Sequence, residues 1–100
     1  MVLVDVVAQL LDLPGEATIY AAGGHLASLG STAVVAFEPE DGSVPAEAEA
    51  EGLAYVLEVD EAQEVVRVWS AWRDGRIPSI EEATQAILFY AANDAFMPLT

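Results

Sequence analysis

Leu3, Val6, Val7, Leu10 and Leu11 recur at the spacing that lines up apolar side chains along one side of a helix, with Asp5, Gln9 and Asp12 turned away. The pattern predicts a helix over 2–12, stopped at Leu13-Pro14-Gly15 where Pro14 lacks a donor and Gly15 permits a turn. Ala17 to Ala21 centres β-branched and aromatic residues in a short run and reads as a first strand. A glycine-flanked connection over 23–31 leads to Thr32–Phe37, a near-continuous apolar run that reads as a second strand, central and buried on both faces. Glu38 to Gly52, with Pro39, Asp41-Gly42 and Pro45, reads as a turn followed by an acidic loop or a single helical turn. Leu53 to Val59 is the third strand.

Two helices close the chain. The first is predicted over 61–74, with Asp60 and Gln63 as its start signal and Gly75 as its stop. Its inward positions are Ala62, Val65, Val66, Trp69 and Trp72, and Arg73 and Arg76 fall at the negative end of its dipole. The second is predicted over 80–92, capped by Ser79 with Glu82 three residues on, and carries its stripe at Ile80, Ala83, Ile87, Leu88 and Ala91. The order α-β-β-β-α-α is that of an α+β fold, a small three-stranded antiparallel sheet with helices packed on one face. A meander with the second strand in the middle is the expected arrangement, because sequential strands usually neighbour each other. One domain over 1–100, with an acidic loop at 38–52, accommodates all of it.

Charge changes this picture. Seventeen acids stand against three arginines and no lysine, a formal net charge of −14. The charge is segregated: −3 over residues 1–37, −10 over 38–64 and −1 over 65–100. So few cations exclude a free-standing nucleic-acid binder, which must neutralise phosphates. A hydrophobic fraction of 54% argues against disorder. Cysteine is absent, which removes disulfides, thiol catalysis and Cys-ligated zinc. No apolar run reaches a membrane-spanning length, and the acidic N-terminal stretch lacks the positive start of a secretory signal, so the expected location is cytoplasmic.

Candidate chemistry is thin. A phosphate loop counted from Gly24 would place its second glycine on Leu29 and its lysine nowhere, and a dinucleotide fingerprint fails at His25 or Leu26. Around Gly42 a calcium loop would put Phe37, Pro39 and Ala48 at ligand positions, leaving Glu47, Glu49 and Glu51 for unspecific cation association. His25 has Ser28 and Ser31 nearby but no acid to orient it, and reads as an exposed loop histidine. The carboxylates are too many and too solvated to mark an acid/base pair. No cofactor or metal site is expected, and the chain does not read as an enzyme. Trp69 and Trp72, followed by Arg73 and Arg76, fit either an aromatic anchor for a partner or core rings covered by Arg stems.

The segment from Ser79 through Phe89-Tyr90 to Asn93-Asp94-Ala95-Phe96 resembles the ending of an uncharacterised family of small acidic bacterial proteins. The acidic stretch, Glu51 to Leu57 and the helix opening after it are similar to the same family, so the likeness covers 33–97. The N-terminal third departs from it in an Ala/Gly-rich region. The resemblance implies a fold and a bacterial origin and assigns no activity. Asn93 is placed to end the last helix in a left-handed cap, with Phe96 folding back on the core.

Three functions fit these features. The first is an interaction domain whose acidic face docks on a basic protein, in the manner of an immunity protein or a nucleic-acid mimic. Its contact residues would be Glu38, Glu40, Asp41, Glu47, Glu49 and Glu51 for steering, with Tyr55 and Trp72 as anchors. The second is a domain whose charge serves solubility alone, as the absence of lysine suggests. The third is a small hydrolase-like enzyme. A homo-oligomer is compatible with each.

Overall fold

A computed structural model describes residues 1–98; residues 99 and 100, the end of the domain expected over 1–100, lie outside the described residues. The elements run α1 (Leu3–Ala8), a 3₁₀ turn (Leu10–Asp12), β1 (Thr18–Ala21), a second 3₁₀ turn (Gly24–Leu26), β2 (Ala33–Ala36), α2 (Ala46–Glu49), β3 (Ala54–Glu58), α3 (Val59–Ala71) and α4 (Ile80–Asn93). The fold is α+β, with a three-stranded antiparallel sheet.

The strand order is β2-β1-β3, so β1 and not β2 holds the centre. All four residues of β1 are buried, whereas Val34, Val35 and Ala36 of β2 are half-buried. The apolar run of β2 has a different cause from the one expected: α1 and the main core lie on one side of it and α2 on the other. An edge strand covered on both faces needs apolar residues as much as a central one does. Its outer edge is met at one end by the start of the chain, where Val2 bridges to Thr32 and the Ala33 N–H donates to the Met1 carbonyl at 2.8 Å.

The helices are not all on one face. Ile19, Ala21, Ala33 and Leu57 join Leu3, Val6 and Leu10, Val59, Val65 and Trp69, and Ala83, Ala86 and Ile87 in the main core. On the opposite face Tyr20, Ala48 and Leu53 form a small second cluster under α2. Between Ile19 and Tyr20 the β1–β3 register shifts: Ile19 faces Leu57 and Tyr20 faces Tyr55, leaving Val56 as a bulge. Val56 and Leu57 therefore both reach the main core although they are neighbours in the chain.

The start of α3 is decided by distant carbonyls and that of α4 by its own residues. The start expected at Asp60 is displaced to Glu58, because the Val59 and Asp60 N–H groups donate to the Ala17 and Gly15 carbonyls at 2.9 and 3.1 Å. Gln63, the other half of the expected box, instead donates to the Leu10 carbonyl at 3.0 Å and ties the first 3₁₀ turn to α3. The Ser79–Glu82 capping box forms as the sequence predicts, with both reciprocal hydrogen bonds present. The left-handed residue ending α4 is Asp94, at φ 52°, while Asn93 donates to the Phe89 carbonyl. Of the expected inward residues, Leu11, Trp72 and Ile80 are exposed; Thr84 and Ala86 take buried places on α4 instead. The helix expected over 2–12 is shorter, its last turn having tightened to 3₁₀ before Pro14.

Candidate functional site

Every one of the eight predicted contact residues is exposed. Glu38 follows β2, Glu47 and Glu49 sit on the single turn of α2, and Glu51 lies in the turn leading to β3. Ala48 and Leu53 pack inward from this segment, which orders it and turns its carboxylates outward. Asp41 accepts from the Ser43 backbone N–H at 3.0 Å, and Ser43 holds its carboxyl below the usual range. Beneath the segment lies the Tyr20 hydroxyl, buried near Thr18 yet with no hydrogen-bond partner among the described residues. Burial, with the charges of Glu38 and Glu47, pushes its pKa up.

Tyr55 pairs with Tyr20 and lies edge-on to it, 6.5 Å between ring centroids, while Trp72 follows the last turn of α3 against Phe96; each thus touches one wall, Glu61 or Phe96, of a cleft that the sequence reading did not identify. The cleft, about 300 Å³, is lined by Glu58 at the end of β3, by Asp60, Glu61 and Glu64 in the first two turns of α3, and by Tyr90 of α4 and Phe96 of the C-terminal tail. The Tyr55 hydroxyl donates to Glu61 Oε1 at 3.4 Å, and loss of solvation with the charges of Glu61 and Glu58 pushes the Tyr55 pKa up to about 12. Phe96 folds back as expected: its ring lies 5.1 Å from that of Tyr90 and 5.8 Å, edge-on, from that of Trp72. One tail residue thereby joins both helices and walls the cleft.

The positive end of the α3 dipole favours carboxylates here, yet four of them on two turns repel one another. Arg67 pairs with Glu64 and lowers its pKa, leaving Glu58, Asp60 and Glu61 without an ion pair among the described residues. The other arginines are spent elsewhere. Arg73 and Arg76 stack over the Trp69 ring at 4.3 and 4.6 Å, and Arg76 also forks onto both oxygens of Glu82 at 3.2 and 3.0 Å. The Arg76 fork and the Ser79 N–H together hold the Glu82 carboxyl down at about 2. Among the described residues no three His, Asp or Glu side chains come close enough to hold a metal ion. Carboxylates without an ion pair attract cations in general, a guanidinium or ammonium group among them. Rings beside carboxylates add a second attraction for such a cation.

The sequence reading assigned Glu58 and Asp60 to a strand end and a cap. The available signal was the continuation of the acidic run through 58–64 onto a helix start, together with the aromatic tail that carries the family resemblance. His25 is exposed, and Ser28 and Ser31 hydrogen-bond each other. No helix among the described residues is long and apolar enough to cross a membrane.

No curated protein and no solved structure matches the chain. A family profile does, and it extends over the N-terminal third that the sequence resemblance did not reach. The chain belongs to the family described as Domain of unknown function (DUF7716), which matches residues 1–99.

Proposed function

We propose that this domain is a non-enzymatic interaction module that docks on a basic protein and takes an Arg or Lys side chain of that partner into the cleft at the start of α3. The observation that carries the reading is the composition of that cleft, four carboxylates beside Tyr90 and Phe96. The acidic segment supplies the steering field: −10 over residues 38–64 draws a basic partner from a distance and discriminates against acidic ones. Tyr55 and Trp72 keep the anchoring role given to them by sequence, Tyr55 beside Glu61 and Trp72 beside Phe96, with the desolvated contact made in the cleft that Glu61 and Phe96 line. An immunity protein set against a basic toxin and a nucleic-acid mimic set against a basic nuclease are the forms this reading takes.

The test is an NMR titration with a short Arg-containing peptide and the same peptide carrying citrulline, which keeps the shape and loses the charge. Arg should shift the amides of residues 58–64 and the ring resonances of Tyr90 and Phe96, and citrulline should not. Glu58→Gln with Glu61→Gln should weaken the Arg response. Equal responses to both peptides, or shifts confined to 38–51, would sink the cleft as an anchor. No saturable response at all would favour the alternative, in which the acids serve solvation only, a reading that the complete absence of lysine supports.

A further inference from the structure

β2 lies at the edge of the sheet, where backbone polar groups alternate between the neighbouring strand β1 and the open side. Thr32 turns inward, its carbonyl accepting from the Ala22 N–H at 2.9 Å, whereas Ala33 turns outward and donates to the Met1 carbonyl. The same alternation turns Val35 outward, and Phe37 after it. Neither has a hydrogen-bond partner on that side among the described residues, and Phe37 is 62% exposed. Met1 and Val2 already lie antiparallel along this edge, with Val2 bridged to Thr32 and the Leu3 N–H donating to the Ser31 carbonyl at 2.8 Å. That pairing reaches Ala33 and leaves the two positions beyond it open.

Two features select what fills them. A hollow of about 290 Å³ beside the open stretch is lined by Met1, Gln9, Leu13, Ala33, Val34 and Val35. Val35 packs toward the main core, so a residue paired with it on an added strand would place its side chain on that face, at this hollow. The hollow calls for an apolar side chain. Just past the open stretch come Glu38, Glu40 and Asp41, all exposed, and the chain has no arginine before Arg67. The Met1 amino group lies at the opposite end, near Ala33. An antiparallel strand runs its N-terminal part past the three acids, so basic residues belong one and three places before the apolar one. A second copy fits poorly. Met1 limits two β2 edges to pairing over the open stretch, which gathers the acids of both copies around the axis.

We infer that the free edge of β2 takes a short basic segment of a partner protein as a fourth, antiparallel strand. This surface is separate from the cleft and shares with it only the sign of the partner's charge. The probe is the peptide acetyl-Thr-Lys-Thr-Lys-Val-amide, with its Val facing Val35. In NMR it should slow amide exchange at Val35 and Phe37 and give an Hα–Hα contact between Ala36 and the second Lys. N-methylation of the peptide's Val removes the donor to the Val35 carbonyl and should raise the dissociation constant at least about fivefold. N-methylation of the second Lys, whose N–H points away, should change it less than about twofold. Glu in place of both Lys should abolish the response. Shifts at Glu38, Glu40 and Asp41 without slowed exchange at Val35 and Phe37 overturn the inference, since the acids then attract without strand addition. Equal losses from the two N-methyl peptides, pairing of two copies in place of peptide binding, or no response at all overturn it as well. Glu58→Gln with Glu61→Gln, which weakens the Arg response of the cleft, should leave the response at Val35 and Phe37 unchanged, so the two readings fail separately.

Discussion

The two faces of the sheet are built to different depths. On one, Ile19, Ala21 and Leu57 meet three helices and a core that includes Leu3, Val65, Trp69 and Ile87. On the other, Tyr20 meets one helical turn through Ala48 and Leu53, and the acidic residues begin immediately beyond. The deep face supplies the burial that holds the chain together, and the shallow face carries a surface whose charges are left to water. A small domain has apolar area for one substantial core, so its second face is covered only as far as needed to order the segment that crosses it.

The largest effect that separates the faces is a cavity. Ile87→Ala, at a fully buried position of the deep core, should cost about 4 kcal/mol in urea unfolding, and Leu53→Ala in the shallow cluster about 2 kcal/mol. Equal costs would show that α2 closes its face as tightly as the three helices close theirs. Next in size is Tyr20→Phe, which removes a buried hydroxyl that has no partner among the described residues and should raise stability by about 1 kcal/mol. A loss of stability would mean that the hydroxyl is held, by Thr18 or by water, and that the shallow face is better satisfied than its geometry indicates.

Acid distinguishes the regions differently. The Glu82 carboxyl, on the arginine-bearing side, is depressed from 4.5 to about 2, so the folded state resists its protonation more than the unfolded chain does. That contribution is complete above pH 4.5 and is lost as the pH falls from there toward 2. Arg76→Gln removes the main cause, and should raise the Glu82 pKa in a carboxyl NMR titration and flatten this limb of the stability profile. The smallest effect is that of salt. Melting temperature should rise with NaCl as the acids are screened, and Gln/Asn at Glu38, Glu40, Asp41, Glu47, Glu49 and Glu51 should flatten that rise while leaving the fold intact. An unchanged slope would place the repulsion at the start of α3.

Much of the fold was legible where a local signal decides. Ser79 and Glu82 announce a capping box that forms whatever surrounds it, whereas α3 ends at Ala71, short of the expected stop, and Gly75, at φ 80°, lies with the left-handed Asp74 in the turn beyond it. The short acidic helical turn was likewise readable from its own residues. What escaped depends on neighbours distant in sequence. Thr32–Phe37 is apolar enough for a centre, and only the placement of α2 explains why an edge strand needs those residues. Asp60 has the chemistry of a cap, but carbonyls at Gly15 and Ala17 reached the free N–H groups first. The candidate site divides in the same way. Tyr55 and Trp72 were visible as aromatics, whereas the cleft needs the tail to fold back and bring Phe96 to α3.

The bulge at Val56 makes β3 tolerant of a change that ordinarily ruins a strand. Losing one residue from a regular strand turns every later side chain to the wrong face. In β3 the extra residue is already outside the ladder: with Val56 deleted, Leu57 still falls opposite Ile19, Tyr55 opposite Tyr20 and Ala54 opposite Ala21. What disappears is the volume Val56 fills in the core, where it is 2% exposed. Chain length and core volume are therefore separable at this point, and a chain one residue shorter here would keep its pairing if a larger side chain nearby took up the space.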